Sequence, residues 1–227
     1  MVEACQTMLI YEEDNIMPNW CCTKYAFYTN DGDKGELLRF YKNLSDIILI
    51  PSEIKNDFEP GWLGKVAIRH GLDHEKTSCR GTINYLENYD PKDNFFTLES
   101  ETAWIPADEL WEAVIARYKG ISFVYLAEEP GMEIFINTDS NGTYFPEKYL
   151  VEIFGDAPIP EKWYVWQEKP KSLDIREYFS GADDLMDYFA RITGKSFSTI
   201  GELRTYLSDI FDEKADTLAN IHEFTAA

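Results

Sequence analysis

One stretch constrains the fold more than any other: Asn94–Gly120, which reads NFFTLESETAWIPADELWEAVIARYKG. Its first part alternates, with Phe96 and Leu98 set against polar Thr97 and Glu99, the period-two pattern of a half-buried strand. Pro106 then stands at a first helical position, where its missing N–H costs nothing. Leu110, Trp111, Val114, Ile115 and Tyr118 follow on one helical face, and Gly120 supplies the stop. A half-buried strand running directly into an amphipathic helix demands a sheet with helices packed on one side.

The rest of the chain extends that motif. Trp20–Thr29 (WCCTKYAFYT) is rich in aromatic and β-branched residues and reads as a strand. After the polar loop 30–35, Leu37, Phe40, Tyr41 and Leu44 have helical spacing. Leu63–Arg69 and Thr82–Leu86 read as short strands, as do Ile121–Ala127 and Met132–Asn137. Asp139-Ser140-Asn141-Gly142 is the strongest hairpin signal, because Asn-Gly tolerates the positive φ of a tight turn, and Thr143–Phe154 is expected to continue as a strand. The order predicts an α+β fold of ferredoxin-like type, a largely antiparallel sheet with helices on one face. Beyond Gly155, residues 156–160 read as a linker and WYVW (Trp163–Trp166) as an apolar contact. Three short helical segments are expected after it: one with Ser180 as its cap and Gly194 as its stop, one opened by the capping box Thr199-x-x-Glu202, and one around residues 216–224. The domain reading is therefore an N-terminal extension at 1–16, the α+β domain at 17–155, and a linker with a small helical appendage at 156–227.

Charge limits the partners. The 227 residues carry 21 basic and 41 acidic side chains, a net charge of −20. Residues 1–150 hold net −13 and residues 151–227 net −7, so the acidity belongs to the whole surface and not to a tail. Such a surface repels nucleic acid and anionic membranes. Apolar runs such as Ile47–Ile50 are too short to span a bilayer, and the N-terminus lacks a basic n-region with an apolar h-region. A cytoplasmic protein is expected. Cys5, Cys21, Cys22 and Cys79 form no disulfide framework and no CxxC spacing.

Motifs that carry chemistry are sparse. Neither GxGxxG, GxxxxGK[ST] nor GxSxG occurs. His70, His74 and Cys79, in RHGLDHEKTSC, have donor types suited to zinc, but Gly71 interrupts the helix that would align the two histidines, and a surface loop with a structural thiol competes. Asp31 and Asp33 begin a calcium-like DxDxG that fails beyond its first residues, leaving a polar turn ahead of a helix. Glu128 and Glu129, with Glu101, are candidate carboxylates, although adjacent strand residues point to opposite faces. Trp62 and Trp104 are candidate platforms for a ligand, against the plainer reading as core. No metal or cofactor is expected.

Taken together, MPNWC (17–21), WLGKV (62–66), DHEKTSCRG (73–81), ESETAWIP (99–106) and AEEPGM (127–132) resemble the YubB-type ferredoxin-like family, proteins of phages, plasmids and integrated elements with no established biochemical activity. The resemblance covers about residues 17–155 and implies a ferredoxin-like domain on a mobile element; it supplies no catalytic residues. The expectation is a non-enzymatic accessory protein that binds a host or mobile-element protein. Two alternatives stay open: an acidic DNA mimic that occupies a DNA-binding or defence enzyme, and a metal-dependent enzyme or ligand binder.

Overall fold

The computed structural model describes residues 18–54, 56–155, 173–211 and 217–226. These form eight strands and five helices in an α+β arrangement with two antiparallel sheets. In chain order the elements are β1 (Trp20–Thr29), α1 (Lys34–Leu49), α2 (Leu63–Arg69), β2 (Gly81–Leu86), β3 (Phe95–Ala103), α3 (Asp108–Ile115), β4 (Ile121–Glu129), β5 (Ile134–Asn137), β6 (Tyr149–Gly155), β7 (Leu173–Phe179), α4 (Ala182–Thr193), α5 (Ile200–Phe211) and β8 (Thr217–Glu223). No helix among the described residues is long and apolar enough to cross a membrane.

The larger sheet has the order β2-β3-β1-β4-β5. Alternation along β1 divides its residues between two faces. Cys21, Tyr25 and Phe27 join Leu37, Phe40 and Leu44 of α1 and Leu110, Trp111 and Val114 of α3 in one buried cluster. The rings of Phe27 and Trp111 meet edge to face at 5.1 Å, the offset geometry aromatic quadrupoles favour. The start of α1 is fixed by Asp33, whose carboxylate accepts from the Gly35 and Glu36 N–H groups at 3.0 and 3.2 Å. The DxDxG stretch is thus a polar turn and a helix cap.

The smaller sheet has the order β7-β6-β8. One face carries Val151, Ile153 and Ile221, buried with Leu185 and Phe189 of α4 and Leu203, Leu207 and Phe211 of α5. The other face meets the larger sheet. There Ala26, Leu126, Phe135, Phe145, Leu150 and Phe224 form a shared apolar cluster. Thr225 adds a backbone seam along β5: its N–H donates to the Phe135 carbonyl and its carbonyl accepts from the Asn137 N–H, both at 2.9 Å. The layers therefore run helices, larger sheet, smaller sheet, helices.

The structure corrects several local expectations. Leu63–Arg69 is a helix and not a strand: Leu63, Val66 and Ala67 are buried at i, i+3 and i+4, a spacing that the short apolar run concealed. The Asp139–Gly142 turn forms, with the Gly142 N–H donating to the Asp139 carbonyl at 2.9 Å and Gly142 at φ +64. It closes no hairpin, however, because β5 pairs with β4 while β6 begins only at Tyr149 and pairs with β7 and β8. The region after Gly155 is not wholly helical. Leu173–Phe179 is a strand, and 217–223, expected as a third helix, is strand β8. For α4 the cap is Gly181 and not Ser180, while Gly194 ends it at φ +67 as expected. At α5 the Thr199 hydroxyl accepts from the Glu202 N–H at 3.1 Å and Glu202 accepts from the Ser198 N–H at 2.9 Å, so the capping signal operates. The extension at 1–16, the linker and WYVW lie outside the described residues.

Candidate functional site

A group of paired charged side chains lies where the two sheets meet. Glu128 projects from β4, Glu152 from β6, Arg176 and Tyr178 from β7, and His222 from β8. The Arg176 guanidinium bridges the layers, pairing with Glu128 of the larger sheet and Glu152 of the smaller. The Tyr178 hydroxyl donates to the second Glu128 oxygen at 2.8 Å. His222 stacks on Phe135 with ring centroids 4.0 Å apart. Its Nε2 approaches Glu152 Oε2 at 3.2 Å without the alignment of a hydrogen bond. Both carboxylates are nearly buried.

Burial pushes the Glu128 carboxyl above its ordinary value of 4.5, against the pull of Tyr178 and Arg176. Glu152 moves the other way: the contact with His222, supported by Arg176, holds it below 4.5 despite burial. The signs of linkage are therefore opposite. The contribution of Glu152 is present above pH 4.5 and lost as pH falls through its lowered value. That of Glu128 is fullest in acid and declines as pH rises from 4.5 through its raised value. Thermal melts across pH 3 to 8 are expected to show Glu152→Gln most damaging near neutrality and least in acid, with Glu128→Gln trending in reverse. Parallel trends for the two variants would refute this assignment.

Two carboxylates with pKa values pushed apart resemble an acid–base pair. Here, however, each Glu128 oxygen already accepts a bond, and Arg176 is held from both sides. The arrangement ties two layers together.

The residues singled out in the sequence take different places. Glu128 is in this cluster. Glu129 points to the other face, where it caps the Pro130–Met132 turn by accepting from the Gly131 and Met132 N–H groups. Glu101 shares the Glu128 face, in the same row across the sheet, the two flanking Cys22 of β1. Trp62 is buried at the start of α2 with its indole edge-on to the His74 ring at 5.6 Å. Trp104 is half-buried at φ +73, its N–H donating to the Asn19 carbonyl at 2.9 Å. His70, His74 and Cys79 do not converge. Both His70 nitrogens are engaged, Nδ1 with the Val66 carbonyl at 2.8 Å and Nε2 with the Tyr118 hydroxyl at 3.1 Å. The Cys79 thiol donates to the backbone carbonyl of His74, and among the described residues no group of three potential ligands forms. None of the described cysteines is in a disulfide, and desolvation pushes the Cys21 thiol up to about 11.

A second feature is the half of the outer face that the smaller sheet does not cover among the described residues. β3 presents Phe95, Thr97, Glu99 and Glu101 there, and the register places Tyr28 and Lys24 of β1 and Tyr85 of β2 on the same side. Tyr85 is 53% exposed and Phe95 39%. Tyr144 stacks on Tyr28 at 5.1 Å and packs against Phe95 at 5.0 Å, forming an aromatic wall at one end. Lys24 and Glu99, both about half exposed, approach to 3.6 Å.

Sequence reasoning missed Arg176, Tyr178 and His222 because they lie in the part read as linker and helices, and Glu152 because the strand expected over Thr143–Phe154 had no partner strands assigned beyond residue 155. The alternation of LDIREYF was the available signal. Comparison of the chain with protein-family models, curated proteins and solved structures gave no match.

Proposed function

We propose that this chain is a non-enzymatic, protein-binding accessory protein that docks a basic partner on the outer face of β1, β3 and β2. The observation that carries the reading is the exposed aromatic surface of Tyr85 and Phe95 beside the half-exposed Glu99, in a chain of net charge −20. Exposed large rings on an otherwise polar face are a mark of interaction surfaces. That the carboxylates best placed for acid–base work, Glu128 and Glu129, are engaged with Arg176, Tyr178 and backbone N–H groups also favours binding over catalysis. The strand order β2-β3-β1-β4, with helices on both crossovers, supports a ferredoxin-like core with β5 added at its edge. With the YubB-type resemblance, this favours a mobile-element protein acting in the cytoplasm on a host or defence protein.

A photo-crosslinking amino acid placed at position 85, with position 187 of α4 as control, tests the surface in cells. The expected result is a discrete protein adduct from position 85 and none from 187. Adducts from 187 alone would refute the docking face.

A further inference from the structure

We infer that Arg69 and Arg117, on the helical side of the larger sheet, bind a phosphate monoester dianion carried by a phosphorylated side chain of a protein partner. The site is separate from the docking face proposed above and does not rest on it.

Cations are scarce in this chain, 21 against 41 acidic residues, yet three arginines gather around one buried pair of rings. His70, which ends α2, and Tyr118, which follows α3, are both buried. The His70 Nδ1 donates to the Val66 carbonyl at 2.8 Å, so its Nε2 accepts from the Tyr118 hydroxyl at 3.1 Å. Arg39 of α1 covers the Tyr118 ring, with its guanidinium carbon 4.4 Å from the centroid. That guanidinium is already engaged: it forks onto Glu36 and donates to the Arg117 carbonyl at 3.3 Å.

Arg69 and Arg117 differ from it. Both are exposed, and among the described residues no carboxylate lies within ion-pair distance of either. Glu36 is taken by Arg39, and Asp73 by Lys76 at 2.9 Å. Both arginines stand on fixed backbone. Arg69 is in the last turn of α2, and the Arg117 N–H donates to the Val114 carbonyl at 3.1 Å. The Arg117 guanidinium lies beside Gly71, two residues beyond Arg69, where an added side-chain carbon would sit 4.0 Å from Nη2. Burial, with the charges of Arg117 and Arg69 adding to it, holds the His70 ring below its ordinary value of 6.5. Both guanidiniums therefore act on the same ring.

Two positive charges without a carboxylate match a dianion. A phosphate group offers three oxygens, enough to accept from both guanidiniums, whereas one fork fills a carboxylate, as Arg39 fills Glu36. The net charge of −20 repels a nucleic-acid strand. A nucleotide would want a ring on which to stack its base, and the Tyr118 ring is buried between Arg39 and Phe40, whose centroid is 4.7 Å away. A single phosphorylated side chain fits the remaining space and charge.

The test uses the full chain, a blocked phosphoserine peptide, its glutamate counterpart and adenosine monophosphate, titrated by calorimetry at physiological salt. The phosphopeptide is expected to bind about tenfold more tightly than the glutamate peptide, as one added charged hydrogen bond would give. Arg69→Gln and Arg117→Gln are each expected to weaken it about tenfold, with Arg191→Gln on α4 without effect. All three positions are exposed, and unchanged melting curves check that the variants fold. In proton NMR the His70 ring is expected to titrate at higher pH once the phosphopeptide is bound, because the anion offsets the field of the two arginines. Equal affinity for the glutamate peptide, equal loss in the Arg191 variant, an unmoved His70 titration, or no binding overturns the inference. Tighter binding of adenosine monophosphate than of the phosphopeptide would overturn the protein source.

Discussion

Replacing Arg176 by methionine is expected to lower the stability of the folded chain by about 3 kcal/mol at pH 7, because the change strands two nearly buried carboxylates at the junction of the sheets. The lower end of the usual range for breaking a buried pair applies, since the Arg176 side chain is 38% exposed and water relieves part of the loss. For a chain of this size the melting temperature would fall by about 6–12 °C. A second variant separates charge from packing. Arg176→Met combined with Glu128→Gln and Glu152→Gln removes the stranded charges together with their partner, and should recover most of the loss. Melting curves of the two variants decide the matter. A single variant within about 1 kcal/mol of the parent would mean that the apolar contacts of Phe135, Leu150 and Phe224 hold the layers unaided.

The largest effect is expected on the other side of the larger sheet. Trp111 is fully buried in α3 and touches the rings of Tyr25 and Phe27 at 5.7 and 5.1 Å. Trp111→Ala should cost about 4 kcal/mol, from lost apolar burial and the cavity left behind. Trp111→Phe should cost far less than the difference in size implies. The buried indole Nε1 has no hydrogen-bond partner, so the smaller ring also removes an unsatisfied donor. Chemical denaturation of the two variants measures both values. A phenylalanine variant as damaged as the alanine one would show that the indole N–H is satisfied in solution.

These two sites bear on function differently. Trp111 supports the sheet whose outer face is the proposed docking surface, yet lies on the opposite side of it. Arg176 reaches the covered half of that face from the smaller sheet, and its loss would leave Glu128 without its cation.

The legibility of the chain divides by the range of the contacts involved. β1, β3, α3 and β4 were readable because each carries its own pattern: alternation along β3, a helical stripe through Leu110, Trp111 and Val114, and Gly194 or Asp33 as local punctuation elsewhere. β8 was not readable. TLANIHE has only seven residues, and it becomes a strand by pairing with Tyr149–Gly155, more than sixty residues earlier. Short segments of mixed pattern take the structure their neighbours impose, since propensity alone separates helix from strand weakly there. Leu63–Arg69 shows the converse case: seven residues hold too few turns for a period of 3.6 to stand out, and packing against the core decided for helix.

What the sequence determined by itself is the α+β class, the strand–helix units of the larger sheet, the acidic surface, and the turn at Asp139–Gly142. All of these follow from local pattern or from composition. The tertiary structure alone decided where the chain goes after that turn. Asn-Gly fixes a reversal of direction, but which strand pairs next depends on edges and apolar faces far away in sequence. β6 found β7 and β8, and so built a second sheet against the first. That choice brought Glu128, Glu152, Arg176 and His222 together from four strands and covered one half of the outer face, while Tyr85 on the other half stays 53% exposed.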